Sequence, residues 1–244
     1  MNAALSILAR PERVSAISKP RGASASIAAK ASYGWSAEEF AEEQVQSLVQ
    51  QLFYVGAPRP ARQVVLSGIL ADQRTGSLCV KIGRTLAGSG AFNVCVVEAD
   101  LRTRSMQIEF GGTSTDGRDT PDLAGAVRKS SLQLSDHLWL VPAEVFARDV
   151  NDVCSLAWLR GKLGALRREF DYAVIHAPAF GSGTETSVLS HAADGLVLVV
   201  AANRTRRIAV ETVRESLKHS NIRLLGAVLS ERTFPIPQSL YRRL

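Results

Sequence analysis

Short runs of β-branched and apolar residues recur along the chain at 64–66, 94–97, 138–141, 173–175, 196–200 and 224–229. Helix-spaced apolar positions lie between most of them. Val45, Leu48, Val49 and Leu52 fall on one helical face, and Leu156, Leu159, Leu163 and Leu166 on another. Val210, Val213 and Leu217 do the same over 206–218, and Thr120-Pro121-Asp122 reads as a further helix start with Pro at the first helical position. Ser36-Ala37-Glu38-Glu39 is a capping box for the first helix, which Gly56-Ala57-Pro58-Arg59-Pro60 ends. Near-continuous apolar strands alternating with helices predict an α/β fold: a mostly parallel central sheet with helices on both faces, in three layers.

The first 33 residues break this pattern. They are rich in Ala, Ser and Arg, contain Pro11 and Pro20, and show no sustained period, so 1–33 is expected to be a flexible arm and 34–244 a single domain. Charge sharpens the division. Of the formal net charge of +6, the arm carries most, with five basic residues (Arg10, Arg13, Lys19, Arg21, Lys30) against Glu12 alone. The body is therefore close to neutral, which argues against a duplex-binding surface, and no nucleic-acid partner is expected. No apolar run approaches the roughly 18–20 residues that cross a bilayer; the longest spans 195–202. Cys79, Cys95 and Cys154 are scattered without a CxxC pair, a usage that fits a reducing cytoplasm.

Ligands of parallel sheets bind beyond the carboxyl ends of the strands, so the residues after each strand are the candidates. The first strand ends at Gly68 and leads through Arg74-Thr75-Gly76-Ser77 into a helix, where a phosphate-binding loop would present backbone N–H groups. A working loop of that kind reads GxxxxGK[ST], and no Gly-Lys pair exists here; Arg74 offers a charge from another side and Lys81 lies a turn too far along. The second strand ends in Glu98 and Asp100, which can share a metal or simply sit in a turn. A later strand ends at His176, where a magnesium-handling strand would carry a carboxylate. Neutral imidazole suits a hard cation poorly, and the expected role is a hydrogen-bonded histidine at the mouth of the sheet.

In order, these segments resemble the bacterial tyrosine kinases (BY-kinases) of capsule and exopolysaccharide biosynthesis, within the MinD/ParA-like P-loop ATPases. Glu98-Ala99-Asp100-Leu101-Arg102 is similar to the family's DADLR motif, and 171–178 to its YDxVIIDTPP strand. Residues 202–207 and 225–229 resemble its late strand–helix segment and GVVLN strand. The resemblance implies that Gly68, Arg74, Thr75, Gly76, Ser77, Glu98, Asp100, Arg102 and His176 are the remnant of a nucleotide site, with weak ATP or ADP and Mg²⁺ as its ligands. It also implies a membrane polysaccharide co-polymerase as partner, a cytoplasmic location held at the inner membrane through that partner, and self-association. Four departures stand out. The loop lysine is missing, and the Mg²⁺-side Asp is His176. Gln46 and Val49 occupy the arginine positions of the family's oligomerisation helix, and its tyrosine-rich tail is reduced to Tyr241. Losing the lysine and the carboxylate together removes what phosphoryl transfer depends on. The expected function is a catalytically degenerate regulator or scaffold of exopolysaccharide synthesis or export. The alternatives are an active ATPase or tyrosine kinase with a divergent loop using Arg74, and a MinD/ParA-like positioning ATPase.

Overall fold

A computed structural model describes residues 4–8, 37–55, 59–71, 74–106 and 126–232. Its strands are β1 (Ala4–Leu8), β2 (Gln63–Gly68), β3 (Val94–Glu98), β4 (Leu132–Ser135), β5 (Leu138–Val141), β6 (Tyr172–His176), β7 (Gly195–Ala201) and β8 (Leu224–Arg232). The helices are α1 (Ala37–Val49, continued by a π turn over Gln50–Tyr54), α2 (Arg74–Ala87), α3 (Ala126–Lys129), α4 (Ala143–Phe146), α5 (Val150–Cys154), α6 (Leu156–Glu169), α7 (Glu185–Ala192) and α8 (Arg207–His219).

The strands form one sheet in the order β1-β8-β7-β2-β6-β3-β5-β4. The inner six run parallel and are the six read from the sequence, so the expected α/β class holds. Both edges are antiparallel additions: β4 on β5 and β1 on β8. Ala4–Leu8, inside the segment expected to be a flexible arm, instead pairs with β8. The Thr120-Pro121-Asp122 helix start, Ser36 of the capping box and Tyr241 lie outside the described residues.

Strand alternation splits the core in two, because successive side chains point to opposite faces. Val64, Leu66, Val94, Val96, Val174, Val197 and Val199 face α1 and α2, whose Val45, Leu48, Val49, Leu52, Leu78, Ile82 and Leu86 cover them. Val65, Val97, Ile175, Leu196 and Leu198 face the other layer, where Leu159, Leu163 and Leu166 of α6, Leu189 of α7 and Val213 and Leu217 of α8 close over them. Caps set where two of these helices begin. Asp149 accepts from the amides of Asn151 (2.8 Å) and Asp152 (3.1 Å) at α5, and Ser155 accepts from Trp158 (3.4 Å) at α6. Among the described residues no helix is long and apolar enough to cross a membrane.

Candidate functional site

The carboxyl ends of β2, β3 and β6 lie side by side because these strands are hydrogen-bonded neighbours. That adjacency brings the separate strand-end motifs of the sequence to one place. In the parallel register of β3 and β6, Glu98 stands directly opposite His176. His176 Nδ1 lies 2.7 Å from Glu98 Oε1, with the histidine 3% and the glutamate 0% exposed. This hydrogen bond fixes the orientation of the ring. Glu98 Oε2 accepts from the Met106 amide at 2.8 Å, and Oε1 also accepts from the Asp100 amide at 3.3 Å. Glu98 therefore ties β3, β6 and the loop after β3 together.

Asp100 serves its own turn. Its Oδ1 accepts from the amides of Arg102 (3.1 Å) and Thr103 (3.2 Å), and its Oδ2 from the Thr103 hydroxyl (2.6 Å). The Arg102 guanidinium reaches across to the buried carboxylate of Glu185 on α7. The acidic pair that the sequence left open between metal binding and a solvated turn is thus engaged by imidazole and by backbone amides.

The loop after β2 is shaped by glycine at both ends. A Cβ on Gly68 would lie 2.6 Å from the Leu70 carbonyl oxygen and 3.2 Å from Thr75 Oγ1, so the backbone turns too tightly for any side chain. At Gly76 a Cβ would meet Met106 Cγ and Ser105 Oγ, each at 2.9 Å, with His176 Cε1 at 3.7 Å. The start of α2 is accordingly pressed against the β3 loop, with Thr75 buried and Ser77 half-buried. Ser105 Oγ is buried with no hydrogen-bond partner among the described residues. It is the one unsatisfied polar atom beside the site, and nothing in the local sequence marks it.

Arg74, at the first position of α2, forms an ion pair with Glu231 at the end of β8 (3.0 Å), and Arg204 approaches the same carboxylate oxygen at 3.3 Å. Lys81 is exposed on α2. A cavity of about 120 Å³ remains between Gly68, Thr75, Asp100, Thr103 and His176. That volume holds about four waters, against roughly 300–1,000 Å³ for typical ligand pockets. Magnesium prefers near-octahedral oxygen ligands, whereas here an imidazole stands at the metal side and both carboxylates already accept hydrogen bonds. The donor set suits Mg²⁺-nucleotide poorly. Among the described residues no group of three or more His, Cys, Asp or Glu could hold another metal. The thiols of Cys79 and Cys95 are buried beneath the sheet faces; burial, with the Glu98 charge second, pushes the Cys79 thiol well above its ordinary range.

The chain is similar to the tyrosine-protein kinase CpsD of Streptococcus agalactiae, at 23% identity over 171 residues, covering 69% of this chain and 73% of the relative. It is 20% identical over 190 residues to the tyrosine-protein kinase YwqD of Bacillus subtilis, covering 77% and 80% respectively. The kinase domain of the Escherichia coli tyrosine kinase ETK has a similar fold (TM-score 0.63, 16% identity, 81% of this chain and 79% of that one). So does a ParA family ATPase from Chlorobium tepidum TLS (TM-score 0.55, 10% identity, 68% and 72%). No family model matches the chain.

Proposed function

We propose that this relative of the bacterial tyrosine-protein kinases works by binding, as a catalytically degenerate regulator or scaffold of exopolysaccharide synthesis or export. The observation that carries the reading is the buried Glu98–His176 pair. An imidazole occupies the metal side of the site, and its hydrogen bond occupies the neighbouring carboxylate. Phosphoryl transfer relies on positioning and on charge neutralisation by a lysine and a metal ion. Here the loop has no lysine, and Arg74 is engaged by Glu231, which weighs against Arg74 as the substitute. Gly68, Thr75, Gly76, Ser77 and Asp100 then act as the frame of a former phosphate site, with at most weak hold on ATP or ADP. The partner proposed is the cytoplasmic face of a membrane polysaccharide co-polymerase, by analogy with the proteins this chain resembles.

A thermal-shift titration with ATP and ADP, with and without Mg²⁺, tests the reading. A ligand present at 100 times its Kd stabilises by about 2.7 kcal/mol, or roughly 5–10 °C for a chain of this size. The expected result is a shift below about 1 °C at millimolar nucleotide. A Mg²⁺-dependent shift of the larger order would sink the degenerate reading and favour an active ATPase.

A further inference from the structure

We propose that a cleft at the amino ends of β3 and β6 binds an anionic sugar: a small ligand with several hydroxyls and one phosphate or carboxylate group. The cleft lies at the opposite end of these strands from Glu98 and His176. It measures about 450 Å³, within the roughly 300–1,000 Å³ of small-ligand sites. Its walls come from three parts of the chain: Asn93 ahead of β3, Arg128 on α3, and the run from Arg167 to Asp171 that ends α6 and turns into β6.

Part of this wall is fixed by bonds inside the protein. The Arg128 guanidinium lies over the rings of Trp139 (4.6 Å) and Phe170 (5.0 Å) and donates through Nη2 to the Glu169 carbonyl. Arg167 donates to the Gln63 side chain at 2.9 Å and is paired with Asp194. The Glu169 carboxylate accepts from the amides of Val127 (3.4 Å) and Arg128 (2.8 Å), and Asp171 Oδ2 accepts from the Asn93 amide (2.9 Å). Groups held in place before a ligand arrives lower the ordering cost of binding it.

These bonds leave a mixed set of donors and acceptors around the cleft. Among the described residues Arg168 is exposed and makes no hydrogen bond or ion pair. Arg128 Nε is buried with no hydrogen-bond partner there, a rare state for a buried donor and one that calls for an explanation. Asp171 Oδ1 has no donor among the described residues, and each Glu169 oxygen keeps a further lone pair. A guanidinium fork matches a phosphate or carboxylate, whereas free carboxylate lone pairs accept from hydroxyls. Three guanidinium groups face Glu169 and Asp171, and Arg167 is already paired with Asp194, so the local charge is nearly balanced. A polyanion gains little from such a cleft; a single acidic group on a hydroxylated body matches Arg168 and the idle acceptors together. The dipole of α6 accounts for basic residues in its last turn. It accounts neither for Arg128, which arrives from α3, nor for the unused acceptors beside it.

Titration of the full chain with glucose 1-phosphate and with glucuronate tests the site, beside glucose and inorganic phosphate as comparisons. At least one anionic sugar is expected to bind with a Kd of about 1 mM or tighter, and whichever binds identifies the acidic group. Glucose and inorganic phosphate should each bind at least about tenfold more weakly, because each supplies only half of the matching groups. Arg168→Gln removes a charged donor and should weaken the anionic sugar by at least about tenfold. The Arg168 side chain is exposed and bonds to nothing among the described residues. A Tm within about 3 °C of the native value is therefore expected, and unfolding cannot imitate the loss. Arg168→Lys, which keeps the charge without the planar fork, should fall between the two. No binding of either anionic sugar at about 10 mM would overturn the proposal. So would equal binding of glucose or inorganic phosphate, or an Arg168→Gln chain with native affinity. The cleft and the Glu98–His176 pair lie at opposite ends of the strands and the sugars carry no adenine, so this inference and the degenerate reading fail separately.

Discussion

Replacing His176 by alanine removes the only side-chain partner, among the described residues, of a fully buried carboxylate. Glu98 would keep the Met106 and Asp100 amides but lose the 2.7 Å contact with the imidazole. Leaving a buried polar group without its hydrogen-bond partner typically costs about 1–3 kcal/mol. For a chain of this length that corresponds to a Tm lowered by roughly 2–12 °C. Glu98→Gln keeps the shape and an acceptor for Met106, so its own cost should be near 1 kcal/mol. The decisive quantity is the coupling. In the Glu98→Gln background, His176→Ala should cost about 1 kcal/mol less than in the native chain, measured by urea denaturation with an unchanged slope. If the two costs add to within about 0.5 kcal/mol, the pair is not coupled, and the argument that His176 and Glu98 occupy one another collapses.

Gly76→Ala would push a methyl group to 2.9 Å from both Ser105 Oγ and Met106 Cγ, so a loss of about 1–3 kcal/mol is expected in the same denaturation assay. Asp194 offers a pH test. Burial pushes its carboxyl up, but the amides of Arg62 and Gln63 and the Arg167 guanidinium outweigh this and hold it below the ordinary 3.8. A depressed carboxyl contributes stability above its unfolded value and loses it as the pH falls through the folded one. Asp194→Asn should therefore destabilise at pH 7, and the gap to the native chain should close as the pH drops below about 4. Among the cysteines, Cys79 and Cys95 are buried and Cys154 is exposed. A thiol reagent should label one cysteine in the native chain and three after unfolding; two rapid labels in the native state would contradict the packing.

The sequence carried the inner sheet well because each parallel strand is buried on both faces and reads as an apolar run. The edges were less legible. Leu132–Ser135 is mostly exposed and alternates apolar and polar over only four residues, and Ala4–Leu8 sits in an Ala/Ser/Arg-rich stretch whose composition reads as disorder. At the site, the strand ends that motif order singles out lie side by side, and His176 is hydrogen bonded as expected at the mouth of the sheet. Its partner was not readable, since Glu98 lies 78 positions away and meets it only through parallel register. The engagement of Arg74 by Glu231 was equally hidden, because it depends on where β8 ends. Glu231 has a left-handed backbone (φ 60°), unusual for that residue and invisible in a linear reading.

The pairing of Ala4–Leu8 with β8 has a practical consequence for anyone shortening the chain. β8 spans nine residues, and β1 shields its outer edge. Removing the first 33 residues as a dispensable tail would leave that row of backbone donors and acceptors open, a ready template for strands of other copies. Shortened versions should gather into insoluble or strand-exchanged assemblies, and a purification tag is better placed away from the first residues.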